Sequence, residues 1–190
     1  MDYENIDELG KFSKAAGDSS GTLAEDATTL ADHLAIRNLV SAYGHLLDDG
    51  HYEAYLDMFT NDVCFQITSP GWGKVSYQGR EFIEDFIDQR IRPNTAVKAR
   101  HIQGMIHVAE QNTDTAEVRA QALLRFTTVD GKRLDDLATT ASYNFSLVKS
   151  DNRWRISRMY IEVDASNDYG PPLAGKSADA HTRVFWSPDN

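Results

Sequence analysis

The chain has 190 residues, of which 41% are hydrophobic and 25% are charged, and its formal net charge is −10. These values are typical of one globular domain with short extensions. The negative charge disfavours binding to nucleic acid or to anionic lipid, because both are polyanions. The sequence also lacks an apolar run of the roughly 20 residues that a membrane span needs, so we expect no membrane association.

The ends of the chain differ in character from its middle. Residues 1–26 contain a Gly/Ser-rich stretch and little apolar periodicity, which predicts a flexible extension. Residues 169–190 are interpreted as a tail, so the folded domain is predicted over residues 27–168. The first residues lack the basic and apolar regions of a signal peptide, and we expect a cytoplasmic protein. Cys64 is the only cysteine, which excludes an intrachain disulfide and a cysteine-based zinc site.

Three helices are predicted in the first half of the domain. The first ends near Leu47, because its apolar residues fall on one face about 120° wide: Ile36, Leu39, Val40, Tyr43, Leu46 and Leu47. Gly50 then ends it, since glycine readily takes the left-handed conformation found after helices. A short second helix has an apolar side formed by Tyr52, Tyr55, Leu56 and Phe59. The third covers residues 79–91 and ends before Pro93.

Strand-like runs make up most of the remaining sequence. Thr60-Asn61-Asp62 is interpreted as a turn, and the predicted strands are residues 63–68, 74–78, 99–110, 116–129, 136–149 and 154–163. A slip in the apolar alternation of the last run predicts a bulge. Helices followed by long antiparallel strands predict an α+β domain. A sheet curved around the N-terminal helices would form a cone whose open mouth can hold a ligand.

Three segments of this pattern are informative together: residues 35–48, residues 52–63, and Arg100-His101-Ile102 with the late run 152–156. In these segments the chain resembles the SnoaL-like branch of the nuclear transport factor 2-like superfamily. The resemblance implies a cone-shaped α+β barrel. For chemistry, the chain is similar to scytalone dehydratase, bile acid dehydratases and hexachlorocyclohexane dehydrochlorinase.

The resemblance also implies a set of catalytic residues. Several of those enzymes combine a tyrosine on the first helix, an aspartate at its end and a histidine that begins a strand. The matching residues here are Tyr43, Asp48 and His101, so an Asp48–His101 dyad is implied. An ordinary imidazole, with a pKa of about 6.5, accepts a proton near neutral pH. A carboxylate bonded to one ring nitrogen would leave the other nitrogen free to act as a base.

Two features of the sequence depart from this assignment. Asp48 lies about 140° from Tyr43 around the helix, outside the apolar face, so periodicity alone predicts that it is exposed to solvent. The second histidine of scytalone dehydratase has no counterpart in residues 139–145. Tyr143 or Asn144 could hydrogen-bond the substrate instead. The other side chains expected to bind substrate are Trp72, Phe65 and Tyr55.

We therefore expect a cofactor-independent lyase, isomerase or cyclase that removes an acidic C–H proton from an apolar, possibly polycyclic, carbonyl compound. His101 and His107 are predicted to share a strand face, but no ligand spacing accompanies them and no metal is expected. Two alternatives are a non-catalytic β subunit of a ring-hydroxylating dioxygenase, which residues 48–56 also resemble, and a small-ligand-binding protein. The exposed sheet face predicts a homodimer or homotrimer.

Overall fold

A computed structural model describes residues 27–70, 73–93, 97–131 and 139–164. The predicted extension over residues 1–26 and the predicted tail over residues 169–190 lie outside these ranges. The helices are α1 (Ala27–Asp48), α2 (Tyr52–Leu56) and α3 (Arg80–Phe86), and a wide π-helical turn, Ile87–Ile91, continues α3. The strands are β1 (Phe59–Ser69), β2 (Gly73–Gln78), β3 (Val97–Gln111), β4 (Thr115–Thr128), β5 (Thr139–Ser150) and β6 (Arg153–Val163).

The six strands form one curved sheet in the order β2-β1-β6-β5-β4-β3. Strands β1 and β6 run parallel, and every other neighbouring pair is antiparallel. Helix α1 contacts β3 at one edge and β6 in the middle, and α3 contacts β1. The predicted α+β class, with N-terminal helices on a mostly antiparallel sheet, is confirmed. No helix in the described ranges combines the length and the apolar character of a membrane span.

The core lies between α1 and the concave face of the sheet. Strand β5 shows the two-residue alternation expected of a half-buried strand, with inward side chains at Ala141, Tyr143, Phe145 and Leu147. Helix α1 supplies Ile36, Val40, Tyr43 and Leu47 from its apolar face. Burial of this surface away from water is the main contribution that holds the helix on the sheet.

Strand β1 is longer than predicted, and the expected turn over residues 60–62 was wrong. The strand begins at Phe59, because the backbone N–H of Ile156 donates to Met58 O at 2.7 Å and starts the pairing with β6. The pairing register of β1 with β6 shifts between Phe59 and Cys64. Because of this irregularity, the start of β1 lacks the apolar alternation by which a strand is recognised in a sequence. The bulge predicted in β6 is confirmed by the register shift opposite Ser146 and Leu147.

Polar contacts fix the N-terminal half of α1 to the turn between β5 and β6. Lys149 Nζ donates to Asp32 at 2.8 Å, and Trp154 Nε1 donates to the same carboxylate at 3.0 Å. These hydrogen bonds lower the pKa of Asp32, because both donors favour the charged form. These contacts hold the first half of α1 to the middle of the sheet, and hydrogen bonds from Gln111 to Thr29 O and between Gln111 and His33 hold it to the edge strand β3.

Candidate active site

Helix α1 has a second face, which meets β3 rather than the core. The residues on this face are small or polar and follow helical spacing: His33, Arg37, Gly44 and Asp48. Arg37 Nη1 donates to the backbone oxygen of Ile106 at 2.7 Å. Side chains at these spacings lie one above another along a helix, so a single face aligns Asp48 with the start of β3.

Gly44 allows the helix and the strand to approach closely. A Cβ atom placed on Gly44 would lie 2.8 Å from His101 Cβ and 3.0 Å from the His101 backbone oxygen. Carbon atoms do not pack at the first of these distances, and the absence of a side chain is what permits this contact. Because Asp48 is one turn further along the same face, the close approach at Gly44 also brings the Asp48 carboxylate to the strand.

Asp48 and His101 form a buried pair. The Asp48 carboxylate binds His101 twice: Oδ1 lies 2.6 Å from the ring nitrogen Nδ1, and Oδ2 accepts the backbone N–H at 2.6 Å. The side chain of Asp48 is 4% exposed and that of His101 is 10% exposed. Among the described residues, the second ring nitrogen, Nε2, has no hydrogen-bond partner. The arrangement fits an imidazole that donates from Nδ1 and presents Nε2 as an acceptor.

The expectation from helical periodicity that Asp48 faces solvent was wrong. The helix stays regular to Asp48 and does not turn inward. The carboxylate is buried because β3, the edge strand of the sheet, covers the polar face of α1. The predicted glycine stop is confirmed, since Gly50 has a φ of 78°.

A second ion pair lies directly outside the first. Arg100 Nη1 is 2.8 Å from Asp49 Oδ1, and about half of each side chain is exposed. Two consecutive carboxylates, one from the last residue of α1 and one from the residue after it, thus bind consecutive residues of β3. The exposed pair contributes little to stability, because water and salt screen it. The buried pair holds the imidazole of His101 in place.

Three buried tyrosines lie beside the dyad. The ring of Tyr43 meets the imidazole of His101 edge-on, with centroids 6.0 Å apart. The same ring lies 5.3 Å from Tyr55 and 5.8 Å from Tyr143. The structure therefore brings together five of the residues singled out from the sequence: Tyr43, Asp48, Tyr55, His101 and Tyr143.

Burial raises the pKa of each of these phenols. For Tyr43 and Tyr143 the loss of solvation is the largest cause, and the nearby charge of Asp48 adds to it. Loss of solvation also raises the pKa of Tyr55. A phenol with a raised pKa stays protonated, so these hydroxyls are neutral hydrogen-bond donors at physiological pH.

These phenols should make the protein sensitive to alkali. Unfolding returns them to the ordinary pKa of about 10, so above that pH the unfolded chain releases protons that the folded chain retains. Their stabilising contribution is complete below about pH 10 and is lost as pH rises further. We expect the urea midpoint to fall above this pH, with the phenolate absorbance of these three tyrosines appearing on unfolding. Tyr143→Phe should show a smaller fall; an equal fall would contradict the assignment.

Two other predicted substrate-binding residues, Phe65 and Asn144, are not among the residues in contact with the dyad. Phe65 faces the core, where its ring lies 6.0 Å from that of Phe82. Asn144 pairs in register with Arg119 and Tyr160 on the convex face of the sheet, opposite to Tyr143. The structure separates Asn144 from His101, because consecutive residues of a strand point to opposite faces. Trp72 lies outside the described residues.

His107 does not share a face with His101, and that prediction was wrong. Between Gly104 and His107 the register with β4 shifts by one residue, and Met105 in this bulge has a φ of 51°. An extra residue in a strand moves every following side chain to the other face. His107 is exposed and pairs with Arg119, whereas His101 faces the core.

Described residues also line two surface hollows, of about 510 and 760 Å³. One lies at the turn between α1 and α2 and includes His51, Tyr52 and Arg92. The other lies between α1 and the β5–β6 turn, next to Asp32 and Trp154. Neither hollow includes His101. The candidate active site is therefore defined by the Asp48–His101 dyad and the three tyrosines beside it rather than by either hollow.

Comparison with known families decides the classification. A model of the SnoaL-like domain matches residues 28–160. The chain belongs to the SnoaL-like domain family. The helices, sheet and curvature of this SnoaL-like protein agree with the cone fold of the nuclear transport factor 2-like superfamily. A comparison with curated proteins found no match.

Solved structures similar to this SnoaL-like protein share its fold at low identity. LinA is 19% identical, with 86% of this chain and 99% of that chain covered and a TM-score of 0.60. A candidate scytalone dehydratase from Novosphingobium aromaticivorans is 18% identical, with 82% and 96% covered and a TM-score of 0.58. The β subunit of a candidate aromatic-ring-hydroxylating dioxygenase from that bacterium is 17% identical, with 78% and 97% covered and a TM-score of 0.61. Other similar structures have unknown functions.

Proposed function

We propose that this SnoaL-like protein is a cofactor-independent lyase, isomerase or cyclase that uses the Asp48–His101 dyad as a general base. The observation that supports this most is the 2.6 Å contact between Asp48 Oδ1 and His101 Nδ1, made by two largely buried side chains. A buried carboxylate held against one ring nitrogen fixes the tautomer of the imidazole and stabilises the imidazolium that forms. The substrate class is an apolar carbonyl compound.

The reaction begins with transfer of a proton from carbon to nitrogen. His101 Nε2 takes a proton from the carbon beside the carbonyl group, and the C–H electron pair moves toward the carbonyl oxygen to give an enolate. The imidazolium then returns its proton in one of three ways. It protonates a hydroxyl that leaves as water while the enolate re-forms the carbonyl and a C=C bond, or it protonates a different carbon of a conjugated enolate. In ring closure the enolate carbon attacks a second carbonyl group, a C–C bond forms, and the resulting alkoxide oxygen takes the proton. These outcomes are dehydration, isomerisation and ring closure.

The buried tyrosines support this scheme through their protonation state. An enolate oxygen is stabilised by donors that are already oriented in a site poor in water. Tyr43 lies in edge contact with His101, and Tyr143 packs against Tyr43. We assign them to the wall of the substrate site, with a phenol O–H as a donor to the substrate oxygen. The name of the scytalone dehydratase relative is in keeping with an elimination of water.

Hydrogen exchange on a simple ketone tests this proposal. 2-Tetralone is a bicyclic ketone whose benzylic protons beside the carbonyl are acidic, and proton NMR in D₂O follows their replacement by deuterium. We expect exchange well above the rate given by an equal concentration of free imidazole. The rate should saturate with 2-tetralone and fall when 2-naphthol, a planar analogue of the enol, is added.

A non-catalytic role predicts a different result. A dioxygenase-type β subunit or a binding protein would give exchange no faster than free imidazole, with no saturation, and this result would refute the proposed enzyme. The β-subunit alternative further requires isolation with a larger iron-containing partner. A self-contained assembly of this chain argues against that alternative.

We also propose that the protein forms a homodimer or homotrimer through the convex face of the sheet. Ile102 and Leu123 are cross-strand partners there and are 57% and 37% exposed. Paired apolar side chains on an open sheet face are typical of a contact surface.

A further inference from the structure

The amide group of the half-buried Gln103 is inaccessible to solvent and lacks the hydrogen bonds that it needs. Neither Oε1 nor Nε2 is accessible to solvent, and among the described residues neither atom has a partner. Folded proteins pair the large majority of such groups, because an unpaired buried amide loses its hydrogen bonds to water and regains none. A leucine or methionine of similar size would fill the same space without this loss. The choice of glutamine therefore calls for a partner that the described residues do not supply.

Gln103 lies beside the catalytic dyad. It follows His101 by two residues on β3 and precedes the bulge, so both side chains point to the concave face. Gln103 Oε1 lies 3.6 Å from the point at which a Cβ on Gly44 would stand, and His101 Cβ lies 2.8 Å from that same point. The amide and the imidazole thus adjoin the same short segment of α1.

The residues opposite Gln103 on the two next strands offer only methyl groups. Its cross-strand partner on β4 is Ala122, whose own partner on β5 is Ala141, and both are buried. Neither can donate or accept a hydrogen bond through its side chain. A polar ligand atom next to the dyad would meet the amide without displacing an existing hydrogen bond.

We propose that Gln103 is a substrate-binding residue. It selects compounds that carry an oxygen on the carbon adjacent to the one that loses its proton. Its Nε2–H donates to the carbonyl oxygen of the substrate and, after proton transfer, to the enolate oxygen. Its Oε1 accepts from a hydroxyl when the substrate carries one. This inference rests on the proposed function, which it deepens by naming the polar group that the site recognises.

Two ligands that differ by one hydroxyl group test the inference. 2-Naphthol resembles the enol of 2-tetralone, and naphthalene has the same rings without the oxygen. We expect the wild-type protein to bind 2-naphthol at least about tenfold more tightly, the ratio that about 1.4 kcal/mol produces. Gln103→Leu should show a clearly smaller preference, the remainder coming from the tyrosine O–H that also donates to the substrate oxygen. Its stability should be equal to or higher than that of the wild type, because the substitution removes unpaired polar atoms.

A second substitution of Gln103, and the same binding measurement on a His101→Ala variant, separate a failure of the Gln103 proposal from a failure of the proposed base. Gln103→Met retains the length of the side chain and should show the same reduced preference, which guards against a fold defect in Gln103→Leu. A preference of unchanged size in both variants, or a wild type that binds both ligands equally, would overturn the role of Gln103. In His101→Ala the preference for 2-naphthol should remain while exchange on 2-tetralone is lost. If His101→Ala instead retains exchange, the proposed base fails and the binding role of Gln103 is still decided by the affinity ratio.

Discussion

Replacing His101 with alanine should lower the exchange rate on 2-tetralone by about 10²- to 10⁴-fold, the usual contribution of a positioned general base. The substitution removes Nε2, the atom assigned to accept the proton. The fold should survive, because the His101 backbone N–H still donates to Asp48 Oδ2. Asp48→Asn should also reduce the rate strongly. An amide can donate to the ring and favour the wrong tautomer, and it does not stabilise the imidazolium.

His107→Ala is the matched control for that experiment. His107 lies on the same strand, but it is exposed and faces the convex side of the sheet. Its loss should leave the rate unchanged. Circular dichroism and urea unfolding of each variant separate a catalytic loss from a folding defect. If His101→Ala and Asp48→Asn, both well folded, exchanged 2-tetralone as fast as His107→Ala, the dyad would have no part in the chemistry.

Replacing Gly44 with alanine should damage both stability and activity. The added methyl group would overlap His101 Cβ at 2.8 Å and crowd the His101 backbone oxygen at 3.0 Å. Backbone atoms must then move, and overpacking of this kind typically costs about 1–3 kcal/mol. Since Gly44 and Asp48 share one face of α1, separation of α1 from β3 would lengthen the contact between Asp48 and His101. We expect a lower urea midpoint and a fall in exchange rate under conditions in which the variant is folded.

Gly104→Ala provides the comparison, because it adds the same methyl group to β3 at a site with no neighbour within 4 Å. Its stability and exchange rate should stay close to those of the wild type. Equal behaviour of the two alanine variants would show that the close approach at Gly44 does not position the dyad.

The architecture could be predicted from the sequence because its periodicities are strong. The alternation in β5 and β6 and the apolar stripe on α1 each reflect burial on a single face. The end of α1 was also predictable, since Gly50 adopts the left-handed conformation that glycine favours. The identities of Tyr43, Asp48 and His101 came from family resemblance, and the structure places these three side chains next to one another.

The orientation of Asp48 could not be predicted from helical periodicity. An apolar stripe reports only the face that meets the core, and a polar face looks the same whether it meets water or an edge strand. The available signal was the spacing of Arg37, Gly44 and Asp48, in which a glycine sits within a regular helix and faces the strand that carries His101. Glycine destabilises a helix interior, so its presence there indicates a close contact.

Bulges account for the other errors. The shift after Gly104 moves His107 to the convex face, and the irregularity after Phe59 hides the start of β1. The bulge in β6 was visible in the sequence because that strand alternates strongly between apolar and polar residues. Residues 59–64 and 101–107 lack such an alternation, so the register shifts there leave no signal in the sequence. Gln103 was not predicted as a site residue because its lack of hydrogen-bond partners depends on strand pairing as well. Only the register shows that it lies opposite Ala122 and Ala141, whose side chains cannot form hydrogen bonds.

The position of β6 has a consequence for how the polypeptide is made. Strands β1 and β2 form one part of the sheet and β3 to β5 form another, and β6 is the strand that joins them. During synthesis on the ribosome, Asp48 and His101 both emerge well before residues 153–163. The hairpin of β1 and β2 has no partner on its other side until those last residues arrive. Assembly of the complete sheet is therefore a late event, set by a contact between segments roughly a hundred residues apart, and such long-range contacts slow folding.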